Sequence, residues 1–292
     1  MARGVGLLGL PTDVNSSYVR GAAAAPAEIR KALWSASSNL ASETGVDLGT
    51  PGVLTDEGDL ALREEPGDRA RIESAVGTLV ARGLTPLLLG GDHSVTYPVV
   101  RAVAAVHRRL SILHFDAHPD LYDVFEGNRF SHACPFARIM EEGLAQRLVQ
   151  VGIRTLNAHQ AQQAERFGVE IAAMDGFAPD RVPVPRGPIY VTIDLDGLDP
   201  AFAPGVAHPE AGGLSVRDVI RVLHRVRGPV VGADVVELLP SADQGARTAV
   251  AAAKLVKELA GLMLRPARAA GPTSSRARRT RAARRPRARP AR

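Results

Sequence analysis

Seven short apolar runs recur along this chain, at residues 5–10, 86–89, 112–115, 148–153, 169–174, 189–193 and 230–236. Runs that stay apolar without alternating suit strands buried on both faces of a parallel sheet. Stretches of helical period lie between them. Residues 69–82 put Ile72, Val76, Leu79 and Val80 on one face, and 99–107 repeats Val99, Val103 and Val106. Ser215 stands where an N-cap would open a helix over 216–226, with Val219, Ile220, Leu223 and Val226 turned inward. Residues 248–263 form a long apolar-faced segment that closes the domain. Strand–helix alternation on this scale predicts one α/β domain, residues 1–264, with helices on both faces of its sheet: a three-layer α/β/α sandwich.

Composition removes several alternatives. No apolar run approaches the ~20 residues of a membrane-spanning helix. A single cysteine, Cys134, rules out an intramolecular disulfide framework and a metal site built from cysteines. The net charge of +5 is uneven: residues 265–292 hold eleven Arg and no acid, leaving 25 Lys and Arg against 31 Asp and Glu in residues 1–264. The globular part is therefore mildly acidic, with no basic stripe for nucleic acid. Residues 265–292 read as a disordered Arg-rich tail, since they lack the apolar side chains that would offset ordering entropy. Contact of that tail with nucleic acid is open but is not the expected function. The opening apolar stretch, 5–10, is short and runs into turn residues with no small-residue cleavage site, so the chain is expected to be cytoplasmic.

The chemistry lies just after the strands, where open α/β sheets bind ligands. Run 86–89 is followed by GGDHS (90–94), run 112–115 by DAHPD (116–120), run 189–193 by DLDGLDP (194–200), and run 230–236 by Glu237. Asp116, His118 and Asp120 alternate at period two, as do Asp194 and Asp196, so each set points one way in extended backbone. With His93 these make four carboxylates and two imidazoles. Four carboxylates in one crevice repel unless cations separate them. An oxygen-rich, nitrogen-assisted set suits Mn²⁺, whereas zinc takes fewer ligands and more sulfur or nitrogen. Six ligands are too many for one ion with an open position and suffice for two ions about 3.5–4 Å apart. The Gly90–Gly91 pair lacks the phosphate-loop spacing.

GGDHS, DAHPD and DLDGLDPAFAPG, followed by DVVE, resemble the ureohydrolase family of arginases, agmatinases and relatives, from residue 5 to about 263. NSSYVRGAAAAPAEIRKALW, GGDHSVTYPVVRAV, DAHPDLYDVFEGNRFSHACPFARIMEEG, QVGIR and PGVAHPEAGGLS are most similar to plant-type arginases. The resemblance implies a mainly parallel eight-stranded sheet of the arginase/deacetylase kind, two Mn²⁺ per subunit and a homo-oligomer, trimer or hexamer. One ion would take His93, Asp116, Asp120 and Asp194; the other would take Asp116, His118, Asp194 and Asp196, with Asp116 and Asp194 bridging. Asp120 is counted with His132 and Glu237 among the catalytic positions. Glu237 would hold the guanidinium, and His132 would shuttle a proton to the departing amine. His208 stands where animal arginases carry Thr and would line the guanidinium pocket.

L-arginine, giving L-ornithine and urea, is the expected substrate, with agmatine, giving putrescine and urea, the alternative. Tyr122 stands where animal arginases carry an Asn that binds the amino-acid end, so Asn128 and Ser131 are the expected substrate-end residues, with Arg154 a further candidate for the carboxylate. Deacetylase-like relatives use one zinc and lack the full ligand set. A catalytically silent binding protein is the alternative from another class, and a complete set of six ligands argues against it. Among the remaining residues, Asp92 and Asp199 read as supports of the metal loops or as turn formers, His114 as a core histidine, and Cys134 as a small buried residue beside the site. His107, His159 and His224 fall in helix-like segments and carry no assigned role.

Overall fold

Each of the seven apolar runs becomes a strand. In a computed structural model that describes residues 4–265, the strands are β1 (Gly4–Leu10), β2 (Leu54–Asp59), β3 (Leu84–Gly90), β4 (Ser111–Phe115), β5 (Arg147–Val151), β6 (Glu170–Ala172), β7 (Ile189–Asp194) and β8 (Val230–Val236). They form one eight-stranded sheet in the order β2-β1-β3-β8-β7-β4-β5-β6, and every neighbouring pair is parallel. Apart from Arg265, the segment expected to be a disordered tail lies outside the described residues.

The strand absent from the sequence reading is β2. Its residues, LTDEGD, have no apolar run and are largely exposed, because β2 is an edge strand paired only with β1. An edge strand buries little, so its side chains carry no core signal.

Seven α-helices cover the sheet: α1 (Ala25–Leu33), α2 (Asp68–Ala81), α3 (Thr96–Val106), α4 (Pro135–Glu141), α5 (Ala158–Phe167), α6 (Val216–Arg225) and α7 (Arg247–Met263). Alternate strand residues feed opposite cores. Leu87, Leu89, Leu113 and Phe115 pack with α1, α6 and α7. Leu88, Ile112, Leu148 and Tyr190 pack with α2 and α3 on the other face, where Phe136 of α4 and Ala164 of α5 join them. This is the expected three-layer arrangement. At the end of α3 the reading of 99–107 needs correction: Val99 and Val103 are buried, but Val106 is 59% exposed.

Ser215 caps α6 as expected. Its Oγ accepts the Asp218 N–H at 3.1 Å, and Asp218 Oδ2 accepts the Ser215 N–H at 3.1 Å, a reciprocal capping box. Ser215→Ala is expected to lower stability by about 1 kcal/mol, read as a shift in the denaturant midpoint at unchanged m-value.

The sheet order positions the site. β3, β8, β7 and β4 are consecutive at the centre, and being parallel they end on the same edge. Two glycines let the loops there approach closely. A Cβ on Gly91 would lie 1.7 Å from the Thr12 carbonyl oxygen, and one on Gly197 would lie 2.8 Å from the Asp116 nitrogen. Side chains at these positions would push apart the very loops that carry His93, Asp116 and Asp196.

Candidate metal centre and substrate cleft

The six residues singled out after β3, β4 and β7 converge. One group brings ligand atoms of His93, Asp116, Asp120 and Asp194 within 4.8 Å of one another, and a second does the same for Asp116, His118 and Asp196. Asp116 belongs to both: Oδ2 lies 3.3 Å from His93 Nδ1, and Oδ1 lies 3.4 Å from His118 Nδ1. Asp194, expected to bridge as well, joins only the first group, because its Oδ1 is turned to the Asp196 N–H at 2.8 Å and caps the short helical turn that follows.

The donor set fits divalent cations. His93 Nδ1 is buried and makes no hydrogen bond, although oxygens of Asp116, Asp120 and Asp194 surround it at 3.0–3.3 Å. Its other nitrogen, Nε2, is engaged by Thr192 Oγ1 at 3.0 Å, which leaves Nδ1 facing the carboxylates. An orphaned imidazole nitrogen ringed by carboxylate oxygens is the arrangement a hard divalent ion completes.

The electrostatics show the strain of carboxylates crowded without an ion. Burial, then Asp196 and Asp116, raise Asp194 well above the usual carboxylate range. Burial, then Asp116, push Asp196 up to about 7. Burial would raise Asp116 too, but His114, His118 and His93 outweigh it and hold Asp116 well below its ordinary value. Burial opposes charge on His118, yet Asp196 and Asp116 push its pKa up to about 12.

His114 is more than a core histidine. It is fully buried and stacked on Phe136 at 4.0 Å, but its Nε2 lies 2.7 Å from Asp116 Oδ2 and its Nδ1 3.1 Å from Gln150 Nε2. It therefore orients the carboxylate shared by both groups. Asp92 is a turn former and loop anchor: it accepts from the Ser94 N–H at 3.0 Å and the Asn15 N–H at 2.9 Å. Asp199 likewise ties its own loop, accepting from the N–H groups of Ala201, Gly212 and Gly213.

Glu237 and His132 form a pair beside the cluster. His132 Nδ1 lies 2.9 Å from Glu237 Oε1, which also accepts the His93 N–H at 2.8 Å. Burial opposes charge on both, and each partner reverses that: His132 is pushed up to about 9 and Glu237 is lowered. The pair is thus held as imidazolium and carboxylate. Asp120 and Glu237 have φ of 52° and 67°, a left-handed backbone that non-glycine residues rarely adopt and that collects at functional sites.

Beside these residues opens a cleft of about 260 Å³ whose wall includes His118, Asp120, His132, Asp194, Asp196 and His208. His208 sits where the sequence reading places it, 5.1 Å between ring centroids from His132 and 6.1 Å from His118. Burial and His132 lower its pKa, which favours the neutral ring. Asn128 and Ser131 do not line this cleft. Asn128 Nδ2 donates to Asn15 Oδ1 at 3.0 Å and its Oδ1 accepts the Phe130 N–H, while Ser131 is buried with its Oγ accepting the Ala133 N–H. Arg154 is spent on backbone carbonyls of Gly152, Asp196, Gly197, Leu198 and Glu210. The polar residues that do face the cleft include Ser17, Thr155, Asn157, Gln160 and Glu210, to which the sequence reading assigned no role. Cys134 is buried, as expected of a small residue behind the site.

The fold and the His/Asp centre define an α/β/α protein with a cluster that could hold divalent metal. Comparison narrows this: the Arginase family model matches residues 3–261, and the chain belongs to the arginase family, a group of ureohydrolases acting on linear amidines. Arginase 1, mitochondrial, of Arabidopsis thaliana is 51% identical over 87% of this chain and 79% of its own length. The solved structure of arginase from Medicago truncatula has a TM-score of 0.85 at 45% identity, covering 90% of this chain and 88% of that one. Agmatinase, mitochondrial, of Gallus gallus is 35% identical over 86% of this chain and 76% of its own length. These relatives also correct the cytoplasmic expectation. Plant arginases at 46–51% identity carry mitochondrial or chloroplastic names, not cytoplasmic ones. No helix among the described residues is long and apolar enough to cross a membrane.

Proposed function

We propose that this chain hydrolyses L-arginine to L-ornithine and urea with two Mn²⁺ bound at the His/Asp centre. The observation that carries the reading is the pair of ligand groups sharing Asp116, of whose members His118, Asp120, Asp194 and Asp196 line the cleft. His93, Asp116, Asp120 and Asp194 would hold one ion, and Asp116, His118 and Asp196 the other. Bound there, divalent ions supply acidified water near neutral pH, the nucleophile that hydrolysis requires.

The protein's own groups do the rest. The acidic cleft attracts a cationic guanidinium. Glu237 is buried and ionised, and its Oε1 is pinned by His132 and the His93 N–H. Its plane is therefore set, and Oε2 has no hydrogen-bond partner among the described residues, so it is the oxygen left to accept from a guanidinium N–H. His132, protonated near neutral pH, supplies the proton that the departing amine needs. His208, facing both His118 and His132, bounds the guanidinium pocket. The family resemblance supports a homo-oligomer, trimer or hexamer.

Agmatine is the second reading, and one observation favours it: Asn128 and Ser131, the expected amino-acid readers, lie off the cleft. Urea release from L-arginine and agmatine, measured side by side on manganese-loaded protein, decides between them. Arginine turnover at least about tenfold above agmatine is expected, the size of one discriminating contact of about 1.4 kcal/mol. The reverse ratio would make the protein an agmatinase, and urea from neither would defeat both readings.

A further inference from the structure

Both ring nitrogens of His132 are engaged. Glu237 Oε1 holds Nδ1 at 2.9 Å, and on the other side Ser17 Oγ lies 2.8 Å from Nε2, which also accepts the Ser17 N–H at an N···N distance of 3.3 Å. Ser17 also forms part of the cleft wall. No other side chain of the described residues hydrogen-bonds Nε2, so any proton leaving that nitrogen toward substrate meets Ser17 first.

The loop that carries Ser17, between β1 and α1, is built to hold this position. Buried Asp13 ties its far end, accepting from Arg20 Nε at 2.7 Å and from the N–H groups of Gly21 and Ala23 at 2.6 and 3.1 Å. Asn15 ties the near end: its N–H donates to Asp92 Oδ2, its carbonyl accepts the His132 N–H at 3.1 Å, and its amide joins Ser94 and Asn128. Asn128, displaced from the cleft, thus anchors the Ser17 loop. Gly21 at φ 141° completes the turn, where a Cβ would meet Leu239 at 2.6 Å.

We propose that Ser17 is the proton relay between His132 Nε2 and the leaving nitrogen of the substrate. The proposal rests on the ureohydrolase reading of His132 given above. As the C–N bond of the tetrahedral adduct breaks, its electron pair goes to the nitrogen. That nitrogen takes the Ser17 Oγ proton, and Ser17 Oγ takes the proton of His132 Nε2. Serine ends unchanged, the imidazole ends neutral, and water later restores its proton. A hydroxyl suits this role because it accepts from imidazolium and donates to imidazole, so neither state of His132 loses its partner.

The test compares two substrates on manganese-loaded protein. L-arginine must protonate a strongly basic amine, whereas L-canavanine releases a weakly basic alkoxyamine that departs without that help. Ser17→Ala is expected to lower kcat for arginine by about 10–100-fold, within the range of general acid–base catalysis. KM, bound manganese and the melting temperature should hardly change, and canavanine turnover should stay within about threefold of wild type. Ser17→Thr, which keeps the hydroxyl, should recover most of the arginine kcat. Equal losses on both substrates, a change confined to KM, or full arginine turnover by Ser17→Ala would each overturn the relay. Wild-type protein that releases no urea from any guanidino substrate would overturn the ureohydrolase reading and the relay with it.

Discussion

Asp194→Asn is expected to cut urea release by more than about 100-fold, the upper end of what loss of an outer partner of a metal ligand costs. Asp194 closes β7 and points Oδ2 into the first ligand group, 3.2 Å from His93 Nδ1. Asparagine keeps the Oδ1 that accepts the Asp196 N–H, so the loop after β7 survives. What it removes is the charge, and with it the pull on a divalent ion. The fold should not suffer. In the metal-free protein, burial and the neighbouring Asp196 and Asp116 disfavour the Asp194 carboxylate, so neutral asparagine relieves repulsion. The metal-free variant should melt no lower than wild type at pH 8 while binding less manganese. Near-normal turnover with full manganese would remove Asp194 from the centre.

Stripping divalent ions is expected to lower the melting temperature, and the gap between loaded and stripped protein should widen from about pH 5.5 to 8.5. The groups with raised pKa values act in one direction, while His114, lowered by burial, acts in the other as pH rises through about 6.5. Asp194 and Asp196 have raised pKa values, the latter about 7, so the folded state binds more protons than the unfolded chain and stability falls as pH rises from about 4 toward 7. His93 and His118 are raised too, the latter to about 12, and their contribution is lost as pH rises above the unfolded value near 6.5. The stripped protein should therefore weaken across this range. Ions replace those protons, so their affinity grows as pH rises. At a free concentration about 100 times the dissociation constant, binding adds about 2.7 kcal/mol, roughly 5–10 °C for a domain of this size. A gap that stays flat or narrows with pH would mean that the cluster does not hold the ions.

The positions of the candidate ligands were legible because their signal is local. Asp116, His118 and Asp120 recur at period two, and each set begins where an apolar strand ends. Strand-interior Thr192, which turns His93 by holding Nε2, looked like any β-branched core residue. Ser17 lies in a loop without period, and its contact with His132 spans 115 positions of sequence. Asn128 and Ser131 were misplaced for the same reason. The segment after β4 is irregular, so spacing says nothing about which way its side chains turn, and Asn128 turned to Asn15. Polar helices such as α5, with AHQAQQAERF, bury too few apolar side chains to announce themselves.

By itself, the sequence determined the secondary elements with apolar cores, the α/β class and the identity of the clustered acids and imidazoles, because strand burial and period-two alternation are written in neighbouring residues. Tertiary structure alone decided that β8 and β7 insert between β3 and β4, so that Glu237, Asp194 and Asp196 meet His93 and Asp116 on one edge. It also decided that Asp116 is shared by both ligand groups and that Ser17 reaches His132. Pairing order and loop direction come from long-range packing and closely approaching backbones, as at Gly91 against Thr12. No local pattern encodes these distances, since they exist only once strands far apart in the chain lie side by side.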